Sequence, residues 1–164
     1  MAYELVEHIE VGAGGAASIE FTSIPQDGVD LVLKLSTRSN RSNSTVDNTV
    51  IRLNGSTATV NSWRVLQGTG SAVNSSSASG ANNQQIINNA NTATTSTFGS
   101  VDVYISNYSS SANKSLSFDG VTENNATVSY QEIRAGLWAD TTPITSLVIT
   151  TAVGTAFLEH STAS

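Results

Sequence analysis

There is no cysteine among the 164 residues, so the chain has no disulfide framework, no thiolate zinc site and no thiol nucleophile. Charge is scarce too. Asp, Glu, Lys and Arg together make up 12%, about half the usual share of a soluble domain. Seven Lys and Arg residues are scattered without a run, and the net charge is −6. Nucleic-acid binding needs a basic patch to displace counterions from phosphate, and none is present. An anionic membrane surface is disfavoured on the same ground. No apolar run approaches the roughly 18 residues of a membrane span. The first ten residues carry Glu4, Glu7 and Glu10 where a secretory leader needs a basic start and an apolar stretch. The expectation is synthesis in a cytoplasm, without export by that route. There are two prolines, Pro25 and Pro143, and each sits at a pause in the apolar pattern.

Neutral hydrogen-bonding residues fill the space that charge leaves. Ser, Thr and Asn number 25, 20 and 15, together 60 of 164 positions. A surface wetted by hydroxyls and amides rather than ions repels its own copies little, which suits dense display. The chain is one domain in length. Apolar residues alternate with polar ones almost throughout: Leu5, Ile9 and Val11; Ile19 and Phe21; Leu31, Leu33 and Leu35; Val101, Val103 and Ile105; Leu116 and Phe118; Leu147 and Ile149. Period-two alternation marks half-buried strands, and no stretch shows a helical stripe. Some nine to eleven strands separated by turn signals predict an all-β sandwich or barrel.

Asn54-Gly55 lies between two strand-like runs and predicts a type I′ hairpin. Gly12-Ala-Gly14-Gly15 precedes a strand pattern rather than a helix, so it reads as a hairpin turn and not a phosphate loop. In residues 127–138 the apolar parity changes. Val128 and Tyr130 share one parity; Ile133, Ala135 and Leu137 share the other. A β-bulge near Gln131 and Glu132 would bring both sets to the core. The predicted core is Leu31, Leu33, Leu35, Val101, Val103, Leu116, Phe118, Ile133, Leu137, Leu147 and Ile149. Between Val65 and Val101 there is no charged residue. This stretch reads as a long irregular loop or arm at about residues 65–101, with Gln84-Gln85-Ile86-Ile87 as a short strand in its middle. It is either disordered or ordered by neighbouring subunits.

No catalytic, cofactor or metal site is legible. His8 and His160 are the two imidazoles and read as surface residues. No serine stands in a nucleophile-elbow context. Asp27-Gly-Val-Asp30 is too sparse in oxygen ligands for a calcium loop and reads as a turn. The remaining polar constellations are Arg38-Ser-Asn-Arg41 and Ser62-Trp63-Arg64. They line a ligand groove or a subunit interface, or else they are strand-end arginines and a core tryptophan. With Gln84, Gln85, Ile86 and Ile87, the residues Arg38, Arg41, Trp63 and Arg64 form the candidate interface set.

An ordered series of motifs resembles a known family. Glu20-Phe-Thr-Ser-Ile-Pro25 is followed by Asp30-Leu-Val-Leu-Lys-Leu-Ser-Thr-Arg-Ser-Asn40. Then come Arg52-Leu-Asn-Gly55, Ser62-Trp-Arg64, Asn113-Lys-Ser115, Glu123-Asn-Asn-Ala126, Gly136-Leu-Trp138 and Ile144-Thr-Ser-Leu147. The series resembles small virion surface proteins of marine and cyanobacterial tailed bacteriophages, over most of the chain. The family pattern continues with a short apolar ending where this chain reaches Ser164. The resemblance implies an antiparallel β-sandwich of jelly-roll type on the outer surface of the virion. Members of such a family serve either as head decoration proteins or as parts of fibres. Low charge and the lack of a catalytic constellation point to a non-enzymatic decoration or cement protein, made in the host cytoplasm and bound to the major capsid protein, and the strand edges of a sandwich, which need cover, point to a homotrimer. The alternative is a tail-fibre or head-fibre domain that binds a host-surface glycan, with Trp63, Trp138 or Tyr108 stacking on sugar rings. A chain this short, opening at Met1, leaves little room for a fibre shaft and favours the head.

Overall fold

A computed structural model describes residues 3–125 and 128–164 of the chain. Among these residues there is no helix. The strands are β1 (Ile9–Glu10), β2 (Ser18–Phe21), β3 (Leu31–Thr37), β4 (Val46–Leu53), β5 (Asn61–Gly68) and β6 (Val73–Ala81). They continue with β7 (Gln84–Asn89), β8 (Gly99–Ile105), β9 (Lys114–Val121), β10 (Gln131–Trp138), β11 (Leu147–Thr151) and β12 (Thr162–Ala163). Two antiparallel sheets pack face to face as a β-sandwich. The broad sheet runs β1-β12-β3-β8-β9-β10-β5-β6 and the narrow one β2-β11-β4-β7.

The alternation read from the sequence builds most of the interface between the sheets. Leu33, Leu35, Val101, Val103, Leu116, Phe118, Leu147 and Ile149 are buried in one cluster with Ile19, Ile51, Ile86, Trp138 and Phe157. Leu31 is half-buried at its margin. Leu5 lies outside the core and is 70% exposed, although Ile9 and Val11 pack inward.

Three expectations are corrected. First, β10 turns its other face inward. Glu132, Arg134 and Trp138 are buried, while Ile133 and Leu137 are exposed. No bulge interrupts β10, which keeps unbroken register with β9 and β5 from Gln131 to Trp138. Val128 is exposed and Thr127 lies outside the described residues. Buried Glu132 and Arg134 neutralise each other across 3.1 Å. Gly136 leaves space for Gln84: a Cβ there would lie 2.7 Å from Gln84 Oε1 and 3.1 Å from Phe118 Cε2. Parity that favours apolar residues inward is thus overruled by a paired charge, a missing side chain and one large anchor, Trp138.

Second, residues 65–101 are not a loop. They contain the end of β5, β6, the β7 strand and the start of β8. The residues between β7 and β8 are held by Arg38, whose guanidinium donates to the carbonyls of Asn91, Ala93, Thr94 and Thr97 at 2.7–3.0 Å.

Third, the Asn54-Gly55 turn forms, with φ of 52° and 62° and Ser56 N–H donating to Leu53 O at 3.0 Å. It does not close a hairpin, because β4 belongs to the narrow sheet and β5 to the broad one. Asn54 instead ties the turn to the segment before β11: its Nδ2 donates to Pro143 O and its Oδ1 accepts from the amides of Thr145 and Ser146. The Gly12 turn also joins strands of different sheets.

Candidate functional site

The broad sheet overhangs the narrow one. β7 is the edge of the narrow sheet, and β5 and β6 continue past it on the broad sheet. The inward face of β10-β5-β6 therefore lacks a covering layer and becomes the floor of an open groove of about 380 Å³. That volume falls within the range of small-molecule sites.

Strand pairing sets the floor. Glu132 lies opposite Gln67, which lies opposite Asn74; Arg134 lies opposite Val65, which lies opposite Ser76. Trp63 lies opposite Gly136, and the missing side chain lets its ring lean toward Arg134. The Arg134 guanidinium sits 4.5 Å from the Trp63 ring centroid, a cation–π stack. Its Nη2 is 3.1 Å from Glu132 Oε1, and Gln67 Nε2 donates to Glu132 Oε2 at 2.9 Å. Arg134 Nε is buried and finds no acceptor among the described residues. Burial pushes the Arg134 pKa down and the charge of Glu132 pushes it up; a guanidinium stays protonated throughout.

The walls come from elsewhere in the chain. β4 and β7 supply Asn48 and Gln85, joined by an Asn48 Nδ2 to Gln85 Oε1 hydrogen bond of 3.2 Å. Tyr130 enters just before β10, and Arg41 closes the end near β4. Arg41 is braced by Val46 O and Asn43 Oδ1. Asp47 also lines the groove, but its carboxylate is engaged by the amides of Asn48, Val153 and Gly154.

Of the residues singled out from the sequence, Arg41, Trp63, Gln85 and Ile87 meet in this groove. The others do not. Arg38 is 6% exposed and wholly committed to its own loop carbonyls. Gln84 is fully buried, donating to Asn61 Oδ1 and Leu137 O, and Ile86 is in the core. None of these three can form an intermolecular interface, because intramolecular packing consumes them. Arg64 is exposed on the opposite face of β5. Trp138 and Tyr108 are 2% and 4% exposed, so neither can stack on a sugar ring. Glu132, Arg134, Gln67, Asn74 and Tyr130 are groove residues that sequence reasoning missed. The legible signal was Glu132-Ile-Arg134, two opposite charges two residues apart and hence on one strand face.

The two histidines do not meet at a site. His160 Nδ1 lies 3.0 Å from Glu10 Oε1, and His8 is exposed. Among the described residues no three His, Cys, Asp or Glu side chains converge. No family model matches the chain, and neither a curated protein nor a solved structure matches it.

Proposed function

We propose that this chain is a structural protein of the outer surface of a tailed-bacteriophage virion, a decoration or cement protein that assembles as a homotrimer on the major capsid protein. The ordered motif series supports the virion assignment. The repeated passage of the chain between the sheets from β1 to β5 supports the jelly-roll type. The observation that carries the assembly reading is the outer face of the broad sheet. There Leu66 and Ile133 are directly opposed across β5 and β10, and Leu137 follows on the same face; they are 46%, 51% and 36% exposed. Neighbouring exposed apolar side chains mark a protein contact more often than singly scattered ones do.

The mechanism is mechanical. Each trimer bridges neighbouring capsomers and resists the outward pressure of packaged DNA. Single contacts need not be strong, since simultaneous engagement raises avidity by roughly 10²–10⁴. Low charge lets many copies sit close together. Copy number on purified virions tests the assignment. Hundreds of copies, whose removal weakens the head, are the expected result; a handful confined to the tail would overturn the head location.

A further inference from the structure

We propose that the groove beneath the β10-β5-β6 overhang is a binding site for a neutral saccharide of one or two rings, recognised through Trp63, Gln67, Asn74, Gln85 and Tyr130. The inference stands apart from the virion location, since it rests on the groove alone.

The lining chemistry points to a polyol. Sugar rings offer C–H patches that pack on aromatic faces and hydroxyls that both donate and accept. Planar amides meet both demands, because each carries two donors and an acceptor. This groove offers Trp63 and Tyr130 beside the amides of Gln67, Asn74 and Gln85. No described residue accepts from or donates to the Tyr130 hydroxyl or the Asn74 amide, and both line open space. Charge balance argues against an anionic ligand. Two cations, Arg41 and Arg134, are matched by two carboxylates, Asp47 and Glu132. The formal charges of the lining therefore sum to zero, and Arg134 is not free to take an oxyanion. Arg134 is held by Glu132 and the Trp63 ring, and Arg41 is braced by Val46 O and Asn43.

The site is built before ligand arrives. Glu132 and Arg134 are 2% and 8% exposed. Glu132 holds Arg134, and Arg134 stacks on the Trp63 ring through the cation–π contact, so the aromatic wall pays little ordering entropy on binding. The same arrangement favours binding without cleavage. A glycosidase needs one carboxyl free to give a proton and another free to attack or activate water. Here Glu132 is occupied by Arg134 and Gln67, and Asp47 by three backbone amides.

The two tryptophans make the test internal to one sample. Trp63 is in the groove and Trp138 in the core, so their indole N–H signals in a nitrogen-15 NMR spectrum report site and fold separately. The full chain is titrated with neutral oligomers of glucose, galactose, mannose and N-acetylglucosamine, and in parallel with inorganic phosphate, oligogalacturonate and an extended serine-rich peptide. At least one neutral series is expected to shift the Trp63 signal saturably, with Kd on the order of 10⁻⁴ M, while Trp138 stays still and the sugar is recovered intact. Trp63→Ala and Asn74→Ala should each weaken that binding about tenfold or more. If Trp63→Ala disturbs the Trp138 signal, Asn74→Ala decides alone, because Asn74 is exposed and bears no packing role. The proposal is overturned if no neutral sugar moves Trp63, if phosphate, oligogalacturonate or the peptide binds instead, if binding survives Asn74→Ala, or if the sugar is hydrolysed.

Discussion

Two side chains, Arg38 and Lys114, carry full charge into the interior and meet carbonyl oxygens rather than carboxylates. Arg38 holds four carbonyls of the residues between β7 and β8. Lys114 is fully buried and donates to Ser110 O at 2.8 Å, to Thr142 O at 3.2 Å and to Ala112 O. Its ammonium also lies 5.8 Å from the Trp138 ring centroid. Each cation collects carbonyls that irregular backbone leaves without strand partners, and in a chain so poor in charge these are structural uses of it. Replacement removes the donor and leaves carbonyls without their partner, although Thr94 O keeps the Thr97 amide and hydroxyl. Hydrogen bonds to a charged group contribute about 1.5–3 kcal/mol. Arg38→Met and Lys114→Met are therefore each expected to lower unfolding stability by roughly 2–4 kcal/mol. Denaturant melts measure this, and in Arg38→Met amide exchange should accelerate selectively at residues 90–97. An unchanged midpoint in either variant would contradict the cage. A milder effect belongs to His160. Its hydrogen bond with Glu10, followed by the charge of Glu159, raises its pKa above the ordinary value. A raised folded-state pKa means the stabilisation is complete below the unfolded value of about 6.5 and is lost as pH rises through the higher folded value. Protection of the β1–β12 pairing should decline across that window, after correction for intrinsic exchange. The decline should vanish in His160→Gln.

At the scale of the strand, Gly136 and Gly120 show how the sheets come close enough to pack. A Cβ at Gly120 would lie 2.9 Å from Ile86 Cγ1, and one at Gly136 would meet Gln84. Both neighbours belong to β7, so these glycines set the distance between β7 and the β9-β10 pair. Gly136→Ala should destabilise by about 1–3 kcal/mol through overpacking and displace the Gln84 hydrogen bonds to Asn61 and Leu137. A shift in urea midpoint checks the first expectation, and a Gln84 side-chain amide shift the second. Gly136 also explains what the sequence could and could not disclose. Where a strand is covered on one face and wet on the other, as in β3, β8, β9 and β11, alternation identified both the strand and its inward residues. In β10 the inward side is Glu132, Arg134, a glycine and Trp138, so hydropathy pointed to the wrong face. In β6 neither face is covered, so there was no alternation to read, and Ser75, Ser77 and Ser79 looked like loop. Part of the groove was legible, through Arg41, Trp63, Gln85 and Ile87. The rest depends on which way β10 faces and on how far β6 overhangs, both set by pairing between distant segments.

Across the whole molecule, the broad sheet leaves two features that one sandwich does not cover: the apolar stripe of Leu66, Ile133 and Leu137, and the edge strand β6. Isolated proteins blunt an exposed edge with charge, proline or a bulge that twists it away. From Val73 to Ala81 this edge has neither charge nor proline; its one irregularity is the register shift between Asn61 and Ser62. The stripe and the edge adjoin through β5, so one subunit contact can cover both, and a three-fold arrangement buries every such edge in a closed set. Because few ions take part, association should change little between low and high salt. In the double variant Leu66→Lys with Ile133→Lys, opposed lysines place like charges directly across β5 and β10. Their side chains stay in water in the isolated subunit, where mutual repulsion and lost strand propensity remain small. The double variant should therefore unfold within a degree or two of the wild type, yet light scattering should find the wild type trimeric, as proposed, and the double variant monomeric. It should also fail to appear on virions when supplied during infection. A wild-type chain that is monomeric both free and on the particle would end the trimer reading, and a double variant that still trimerises would move the contact to another face of the sandwich.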